Sequence, residues 1–555
     1  MSCGSGAGWS RTEELLRHNN DIFMTTSRRN EDIYTSMGKQ LNEVTRNCKS
    51  IKGSFTRYIL NTKTIIDDDR LKRKRFGKED KSKPHKTILL VGETGTGKST
   101  LINAIIIYML GVKWENRVWC EIIETKDDQT DSQTTAVTVY DVFVEESPFS
   151  LTVIDTPGYG IFMEYDFKIA EPLHELFRSR DGVHEIDAVC FVVSAETKRL
   201  TDRQLYVFDA IFSLFGFDVE RNIALLITNA THKLKHALKA ITKSKIKCAK
   251  TPDGEPVYFR FDNSHCADFQ EENEDDTEYE TEYHQCKDPW VKNEEAMNKF
   301  FIFLNNINSI NLGLTETVLR KRKQLKAAIN NLKDRITLIE LRKDELKQTK
   351  AALEQFEKEK KYNNNFEFVV DEPYKVKVPI DSKWWHLSKE ATCCRVCEEN
   401  CHFPGCWCVR DLSWCSIMSE GKCTVCTGKC DHTQHVKEGK IYELKTRKVK
   451  KTLKDLKKKY EKESGEKMSL MSRLESELRE NEREKARLVE ECYQCVVTLE
   501  EIALKSAAVS TLQHLDFLIE KVKETGNRER VQRLKELKTQ AEADNPGVLQ
   551  CLIQS

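Results

Sequence analysis

Gly92-Glu93-Thr94-Gly95-Thr96-Gly97-Lys98-Ser99-Thr100 fits the phosphate-binding pattern G-x-x-x-x-G-K-[ST], with Gly92, Gly97, Lys98 and Ser99 in the fixed places. The chemistry explains the residue types. Glycines let the backbone curl so that successive N–H groups of residues 92–100 face phosphate oxygens, and a following helix adds its positive N-terminal end. Lys98 is placed to reach the β- and γ-phosphates, and the Ser99 hydroxyl to sit on Mg²⁺. Context supports this. Residues 87–91, Thr-Ile-Leu-Leu-Val, read as a buried strand, and residues 101–110 read as a helix, so the loop lies between strand and helix.

Working outward, residues 150–154 predict another strand that runs into Asp155-Thr156-Pro157-Gly158. A carboxylate there is placed to hold a Mg²⁺-bound water, and Gly158 lets its N–H approach a γ-phosphate. Between the two motifs lies Asp131-Ser132-Gln133-Thr134-Thr135. Thr134, in preference to Thr135, is the candidate to close over Mg²⁺ when the γ-phosphate is present, which makes it a switch residue; an ordinary polar loop is the alternative.

On these motifs, together with residues 192–201 (Val-Val-Ser-Ala-Glu-Thr-Lys-Arg-Leu-Thr) and the strand-like run 223–228, the stretch 85–310 resembles the septin-related branch of P-loop GTPases. That branch includes septins, GIMAP-like immunity-associated GTPases and chloroplast-import GTPases. The resemblance implies an α/β P-loop domain, GTP with Mg²⁺ as ligands, and switching through dimerisation of the nucleotide-binding domain. It departs from most GTPases at the base-reading motif. Where [NT]-K-x-D is usual, the chain has Thr228-Asn229-Ala230-Thr231, and a neutral hydroxyl cannot reproduce the carboxylate's bidentate contact with guanine. Base selection then falls to other groups such as Asn229, His232 or the loop 262–265. GTP is the first choice because relatives in the branch also lack that aspartate, and ATP stays open. Tyr159 follows Gly158 where a water-orienting glutamine is typical, so any hydrolysis is expected to be slow or partner-activated.

Length favours several units: the chain has 555 residues, more than one core organises. Lys plus Arg equals Asp plus Glu at 89 each, so no global field steers it to nucleic acid or anionic membrane. No apolar run approaches the roughly 18 residues of a membrane span. Signal-peptide features, a glycine at position 2 and a prenylation box are not seen, since Ser2 replaces the glycine and Cys551 is one place off the box. A cytoplasmic protein with at most peripheral membrane contact is the expectation; Arg70-Leu71-Lys72-Arg73-Lys74-Arg75 keeps nuclear import open but reads more simply as a basic linker.

Of 20 cysteines, ten lie between positions 393 and 430. Cys394, Cys397, Cys401 and Cys406 have the same spacing as Cys423, Cys426, Cys430 and His435. Soft donors opening with C-x-x-C wrap a tetrahedral Zn²⁺, so each copy predicts one structural zinc site, with His402 and His432 as alternative ligands. The spacing is also near that of zinc knuckles, yet the segment is not strongly basic, so protein contact is favoured over nucleic acid.

The cysteine segment sits between two heptad patterns. Leu325, Ile329, Leu332, Ile336, Ile339, Leu346 and Leu353 form one, and Met471, Leu474, Leu478, Leu488, Cys492, Cys495, Leu499 and Ile502 the other. The simplest architecture is an antiparallel hairpin, one helix out over residues 316–359 for roughly 65 Å, a zinc tip, one helix back; a parallel dimer stalk is the alternative. Residues 366–370 and 374–378 predict a short strand pair. The predicted organisation is thus an N-terminal helical segment with basic linker over 1–84, the P-loop domain over 85–310, coiled coils over 311–361 and 441–540, the strand pair and zinc module over 362–440, and a tail over 541–555. Residues 271–282 read as a disordered acidic loop. A nucleotide-dependent switch or assembly protein, self-associating through the P-loop domain or the coiled coil, is the leading function. A zinc-module scaffold with a vestigial P-loop is the runner-up, followed by an ATP-driven mechanochemical protein.

Overall fold

The Ile88-Leu89-Leu90-Val91 run is continuous rather than alternating because its strand is buried on both faces. Ile88 and Leu90 point into one core, Leu89 and Val91 into the other. The computed structural model describes residues 45–46, 48–51, 56–124, 136–158, 165–195, 211–230, 238, 241–242, 247–262, 276–358, 367–380, 390–403, 405, 411–452, 470–504 and 509–544. In chain order the strands of the main sheet are β1 (Lys63–Asp67), β2 (Leu71–Phe76), β3 (His85–Gly92), β4 (Val137–Val142), β5 (Ser150–Asp155), β6 (Ala188–Ser194), β7 (Ile223–Thr228) and β8 (Tyr258–Arg260). Across the sheet they run β8-β7-β6-β3-β5-β4-β2-β1. The five strands β8, β7, β6, β3 and β5 are parallel, β4 is antiparallel to β5, β2 is parallel to β4, and β1 is antiparallel to β2.

Helix α1 (Lys98–Met109) and helix α3 (Asp276–Asn306) cover one face, through Leu101, Ile105, Met297 and Phe300. Helix α2 (Tyr165–Arg178) covers the other through Ile169, Leu173 and Leu176. A mostly parallel α/β P-loop domain is therefore what the chain builds between β1 and α3.

Four readings in this region need correction. The basic run 70–75 is not a linker: it is strand β2, a member of the sheet. Arg73 makes a two-pronged contact with Asp141 of β4, at 2.8 and 3.1 Å, so a neighbouring carboxylate makes a cationic strand tolerable. Residues upstream, expected to be helical, contribute the strands Lys49–Ile51 and Thr56–Ile59, which join Val118–Glu121 in a small separate sheet. The acidic run continues as helix from Asp276 onward. Consequently the P-loop domain draws in residues before 85.

Beyond it, α4 (Gly313–Lys358) is a helix of 46 residues. It packs against α5 (Leu470–Ile502), and the ion pairs Lys343–Glu482 (2.9 Å) and Lys350–Glu475 (3.7 Å) make the two antiparallel. Leu325, Ile329, Leu332 and Ile336 are buried as the heptads require, but they face more than one helix. Helices α6 (Val509–Glu524) and α7 (Arg528–Asp544) complete the same core with Leu515, Leu518 and Leu534. The segment 441–540 is therefore not one coiled-coil strand; it begins with a β-strand and ends as three helices.

The two predicted short strands are one, β9 (Glu367–Pro379), running through Pro373. Its partner is remote: after β10 (Ala391–Cys394), β11 (Glu399–His402), β12 (Met418–Ser419), β13 (Lys422–Cys423) and β14 (His435–Glu438) comes β15 (Lys440–Thr452), antiparallel to β9 over 13 residue pairs. This ribbon lies along α4. Lys451 pairs with Glu345 at its open end, whereas the cysteine module at its other end packs on residues 324–335, with Gln324 donating to the Ser416 carbonyl at 3.1 Å and Asn331 to Glu399 at 3.1 Å. The module is thus folded back towards the root of the helical arm and does not form its tip.

Candidate functional site

The P-loop geometry is built by its neighbours. Gly97 sits at φ 80°, a left-handed conformation that glycine adopts without strain, and it turns the chain directly into α1. Lys98 is the first residue of that helix, only 7% exposed, and its ammonium donates to the carbonyls of Gly92 and Glu93 at 3.0 Å each. Burial pushes Lys98 down to about 8, against the opposing pull of the Asp155 and Glu93 carboxylates. Thr96 Oγ1 donates to the Glu93 carbonyl at 2.8 Å, and Thr228 Oγ1 donates to the Thr96 carbonyl at 2.7 Å, which fastens the end of β7 to the loop. Thr94 and Gly95 are exposed at the loop's crown, and Ser99 and Thr100 are half-buried on the first turn.

Asp155 ends β5, opposite Leu90 of β3 in register, and is 1% exposed. Thr156 Oγ1 ties the following turn to the Leu90 carbonyl at 2.9 Å. Gly158 lies so close to the loop that a Cβ there would stand 2.5 Å from Thr94 Cα and 2.3 Å from its Oγ1. The second motif thereby closes on the first, and only a residue without a side chain fits. Asn229, the candidate base-contacting residue, is held at φ 51° just beyond β7. The structure brings Gly92, Glu93, Thr94, Gly95, Thr96, Gly97, Lys98, Ser99, Thr100, Asp155, Gly158 and Asn229 to the carboxyl ends of β3, β5 and β7, where a doubly wound sheet binds its ligand. Thr134, Thr135, Tyr159, Thr231 and His232 lie outside the described residues.

The donor set fits a nucleotide triphosphate with its cation: one buried ammonium, a hydroxyl on the first helical turn, a buried carboxylate at a strand end, and a helix N-terminus facing outward. A feature that sequence reasoning missed lies at the junction of α2 with α4. His174 of α2 is buried and bridges to α4: Lys323 Nζ donates to its Nδ1 at 2.8 Å, and its Nε2–H faces Glu316 at 3.3 Å. Lys323 also pairs with Glu171 at 2.7 Å. The Arg178 guanidinium, at the end of α2, donates to the Trp414 carbonyl of the cysteine module and lies 5.7 Å from that ring's centre. Nothing in the local pattern of 165–178 announces these partners, because they lie more than 140 residues away.

The cysteine module presents two donor groups. Cys394, Cys397, Cys426 and Cys430 form one; Cys401, Cys423, Cys426 and His435 form the other, the donor atoms of each lying within 4.8 Å of one another. This corrects the predicted sets, which took one group from each sequence copy. The copies exchange their third cysteine, Cys401 going to the second group and Cys430 to the first, because β10 and β14 pair side by side and bring the copies together. Cys406 lies outside the described residues. Backbone N–H groups point at the sulfurs: Cys397 N to Cys394 Sγ and Gly428 N to Cys397 Sγ at 3.3 Å, Cys426 N to Cys423 Sγ at 3.4 Å, and Cys430 N to Cys426 Sγ at 3.3 Å. Donors so arranged favour thiolate over thiol. His435 Nδ1 bonds the Asp431 carbonyl at 3.0 Å, which leaves Nε2 buried, without a hydrogen-bond partner, on the side of the sulfurs. That tautomer is the one a metal-binding histidine adopts. Hydrogen bonds from the Cys401 and Cys423 thiols pull Cys426 far below the ordinary thiol range, and the same hydrogen bonding to Cys423 and Cys426 raises Cys401.

A family model described as Septin matches residues 84–179, from just before β3 to the end of α2. No curated protein sequence matches the chain. Among solved structures, one of the chloroplast translocon components atToc33 and psToc159 is 20% identical, with 33% of this chain and 72% of that chain covered at a TM-score of 0.26. Toc33 from Arabidopsis thaliana in complex with GDP and Mg²⁺ is 16% identical, with 42% and 89% covered at 0.27. The S. cerevisiae Ski7 GTPase-like domain bound to GTP is 16% identical, with 38% and 50% covered at 0.24. The strand order and loop geometry, not the solved structures, carry the P-loop architecture.

Proposed function

We propose that this chain is a guanine-nucleotide-binding switch that self-associates through its P-loop domain and carries a zinc-braced helical arm for contact with protein partners. The closure of Gly158 onto Thr94, beside a buried Lys98 and Asp155, is the observation that carries the reading. It unites a phosphate-binding loop with a turn able to sense the γ-phosphate, which is the minimum a nucleotide switch needs. Lys98 and the N–H groups of the loop would hold the phosphates; Ser99 and Asp155 would hold Mg²⁺ directly or through water, with Thr134 as the switch ligand. Mg²⁺ would supply charge neutralisation between the phosphates.

GTP is the proposed nucleotide because the septin-type match covers the phosphate-binding half of the domain. Asn229 is the described residue best placed to read a base. Hydrolysis is expected to be slow or to await a second subunit, since Tyr159 is no substitute for a water-orienting glutamine. Two structural Zn²⁺ ions would be held by Cys394, Cys397, Cys401, Cys423, Cys426, Cys430 and His435, with every coordination position filled by protein and no open position for catalysis. Thiolate-rich sites of this kind persist where thiols stay reduced, which favours a cytoplasmic setting. Among the described residues no helix is long and apolar enough to cross a membrane.

The test is equilibrium binding of fluorescent GTP and ATP analogues with Mg²⁺ to the full chain and to Lys98→Ala. Selective GTP binding, weakened by about ten- to a hundredfold in the variant, is the expected result, since a charge-assisted phosphate contact is worth about 1.5–3 kcal/mol. Equal affinity for both nucleotides would point to ATP or weak discrimination, and binding unaffected by Lys98→Ala would sink the assignment.

A further inference from the structure

The two donor groups of the cysteine module are not independent. Each contains four donors, yet together they comprise seven residues, because Cys426 belongs to both. Two tetrahedral ions make eight metal–donor bonds. Seven donors fill eight positions only when one of them serves twice. A thiolate sulfur has lone pairs for two metals, whereas the imidazole Nε2 of His435 has one. Cys426 is also the residue whose sulfur lies within 4.8 Å of all six other donor atoms.

We propose, resting on the zinc reading above, that the module holds a binuclear Zn²⁺–thiolate cluster in which Cys426 bridges the two ions. Cys394, Cys397 and Cys430 are terminal ligands of one ion, and Cys401, Cys423 and His435 of the other. The surroundings suit a shared sulfur. Cys426 accepts one N–H, from Cys430 at 3.3 Å, which leaves its other directions to metals; Cys394 and Cys397 likewise accept one each, whereas Cys423 accepts two. Gly428 leaves room at that turn: a Cβ would stand 3.0 Å from Cys430 Sγ and 3.3 Å from Cys397 Sγ, crowding two of the donors proposed for the first ion. Six thiolates around two divalent ions leave net negative charge, and Lys375, whose Nζ donates to the Cys397 carbonyl at 2.8 Å, stands beside it. The arrangement interlocks the module. Because the copies exchange their third cysteines, losing the bridge frees β11 and the 426–430 turn together.

The full chain is loaded with zinc, its metal content is measured, and the zinc is then replaced by spin-active cadmium for NMR. Two zinc ions per chain and two cadmium resonances that split each other through the shared sulfur are expected. Cys394→Ser is expected to retain one ion and Cys426→Ser neither. A chain that retains no zinc overturns the zinc reading itself. Two ions with unsplit resonances overturn the bridge alone, and so does a Cys406→Ser variant that loses one ion, since Cys406 would then be the eighth donor. The cadmium coupling is read on the unmodified chain, so it tests the bridge whether or not a variant folds.

Discussion

At the scale of single residues, the nucleotide site turns on Lys98, governed by its burial, and Gly158, governed by the close approach of Thr94. Lys98 titrates at about 8, and a bound phosphate raises that value, so binding takes up a proton once the pH exceeds about 8. Affinity for a triphosphate is therefore expected to fall on going from about pH 8 upward, by at most about tenfold per pH unit, and to be flat below about pH 7. Fluorescent-nucleotide titrations across that range check the sign; an affinity that rises with pH contradicts it. Gly158 makes a second prediction. Gly158→Ala drives a methyl into the backbone of Thr94, an overpacking of about 1–3 kcal/mol. The loop must shift, so nucleotide affinity is expected to fall by about ten- to a hundredfold while thermal stability changes little in the helical arm.

At the scale of elements, the His174–Lys323 contact joins α2 to the helical arm. Its root is embedded in the P-loop domain: Leu312, Leu319 and Leu504 belong to the core under α2, Gly216 N–H donates to Thr315 Oγ1 at 3.2 Å, and Leu504 N–H donates to the Phe215 carbonyl at 2.9 Å. His174 is pushed below its ordinary value of 6.5 by burial and by the Lys323 charge. The unfolded chain therefore binds the extra proton first, and stability at this junction falls as pH drops below about 6.5. Hydrogen exchange of α2 and of the start of α4 is expected to quicken below that pH, and a His174→Gln variant to lose the dependence. Leu332, fully buried in the core to which four helices contribute, is the arm's best test: Leu332→Ala is expected to cost about 2–5 kcal/mol of arm stability. Denaturant unfolding followed in the helical signal would show it, and an unchanged midpoint would mean the helices do not share one core.

At the scale of the whole molecule, the cysteine module holds the arm and the P-loop domain in one arrangement, touching Gln324 and Asn331 of α4 on one side and Arg178 of α2 on the other. Its own apolar residues are largely donor-group cysteines with Ile417, Met418 and Val425, packed on Ala327 of α4, too few to fold it unaided. Chelation is expected to raise hydrogen exchange across residues 391–438 and along the facing stretch of α4, while β3 and β5 keep their protection. Equal loosening of the central sheet would contradict this. A nucleotide-driven switch also predicts that GTP with Mg²⁺ increases the solution mass of the full chain, as read by light scattering, and that Lys98→Ala abolishes the change.

Much of this was legible in the sequence where the governing physics is local. A phosphate loop is a backbone shape dictated by a few adjacent residues, so Gly97, Lys98 and the strand and helix around them were readable; so were the buried heptad positions Leu325 to Ile336, since helical periodicity is a local property. Asp155 and Gly158 were readable from their place after a strand, though only the fold shows Gly158 closing on Thr94. Where the outcome depended on remote partners, residue order alone was silent or misleading. The basic run became a strand because Asp141 of the neighbouring β4 takes the Arg73 guanidinium, β9 runs unbroken because its partner comes some 70 residues later, and the two cysteine copies traded ligands because β10 and β14 pair. The composition of this chain determined a nucleotide loop, long amphipathic helices and a soft-donor cluster. Tertiary structure alone decided that the cluster is interlaced and sits at the root of the arm, because hydrogen-bond ladders between distant strands, which no local pattern encodes, determine which donors meet.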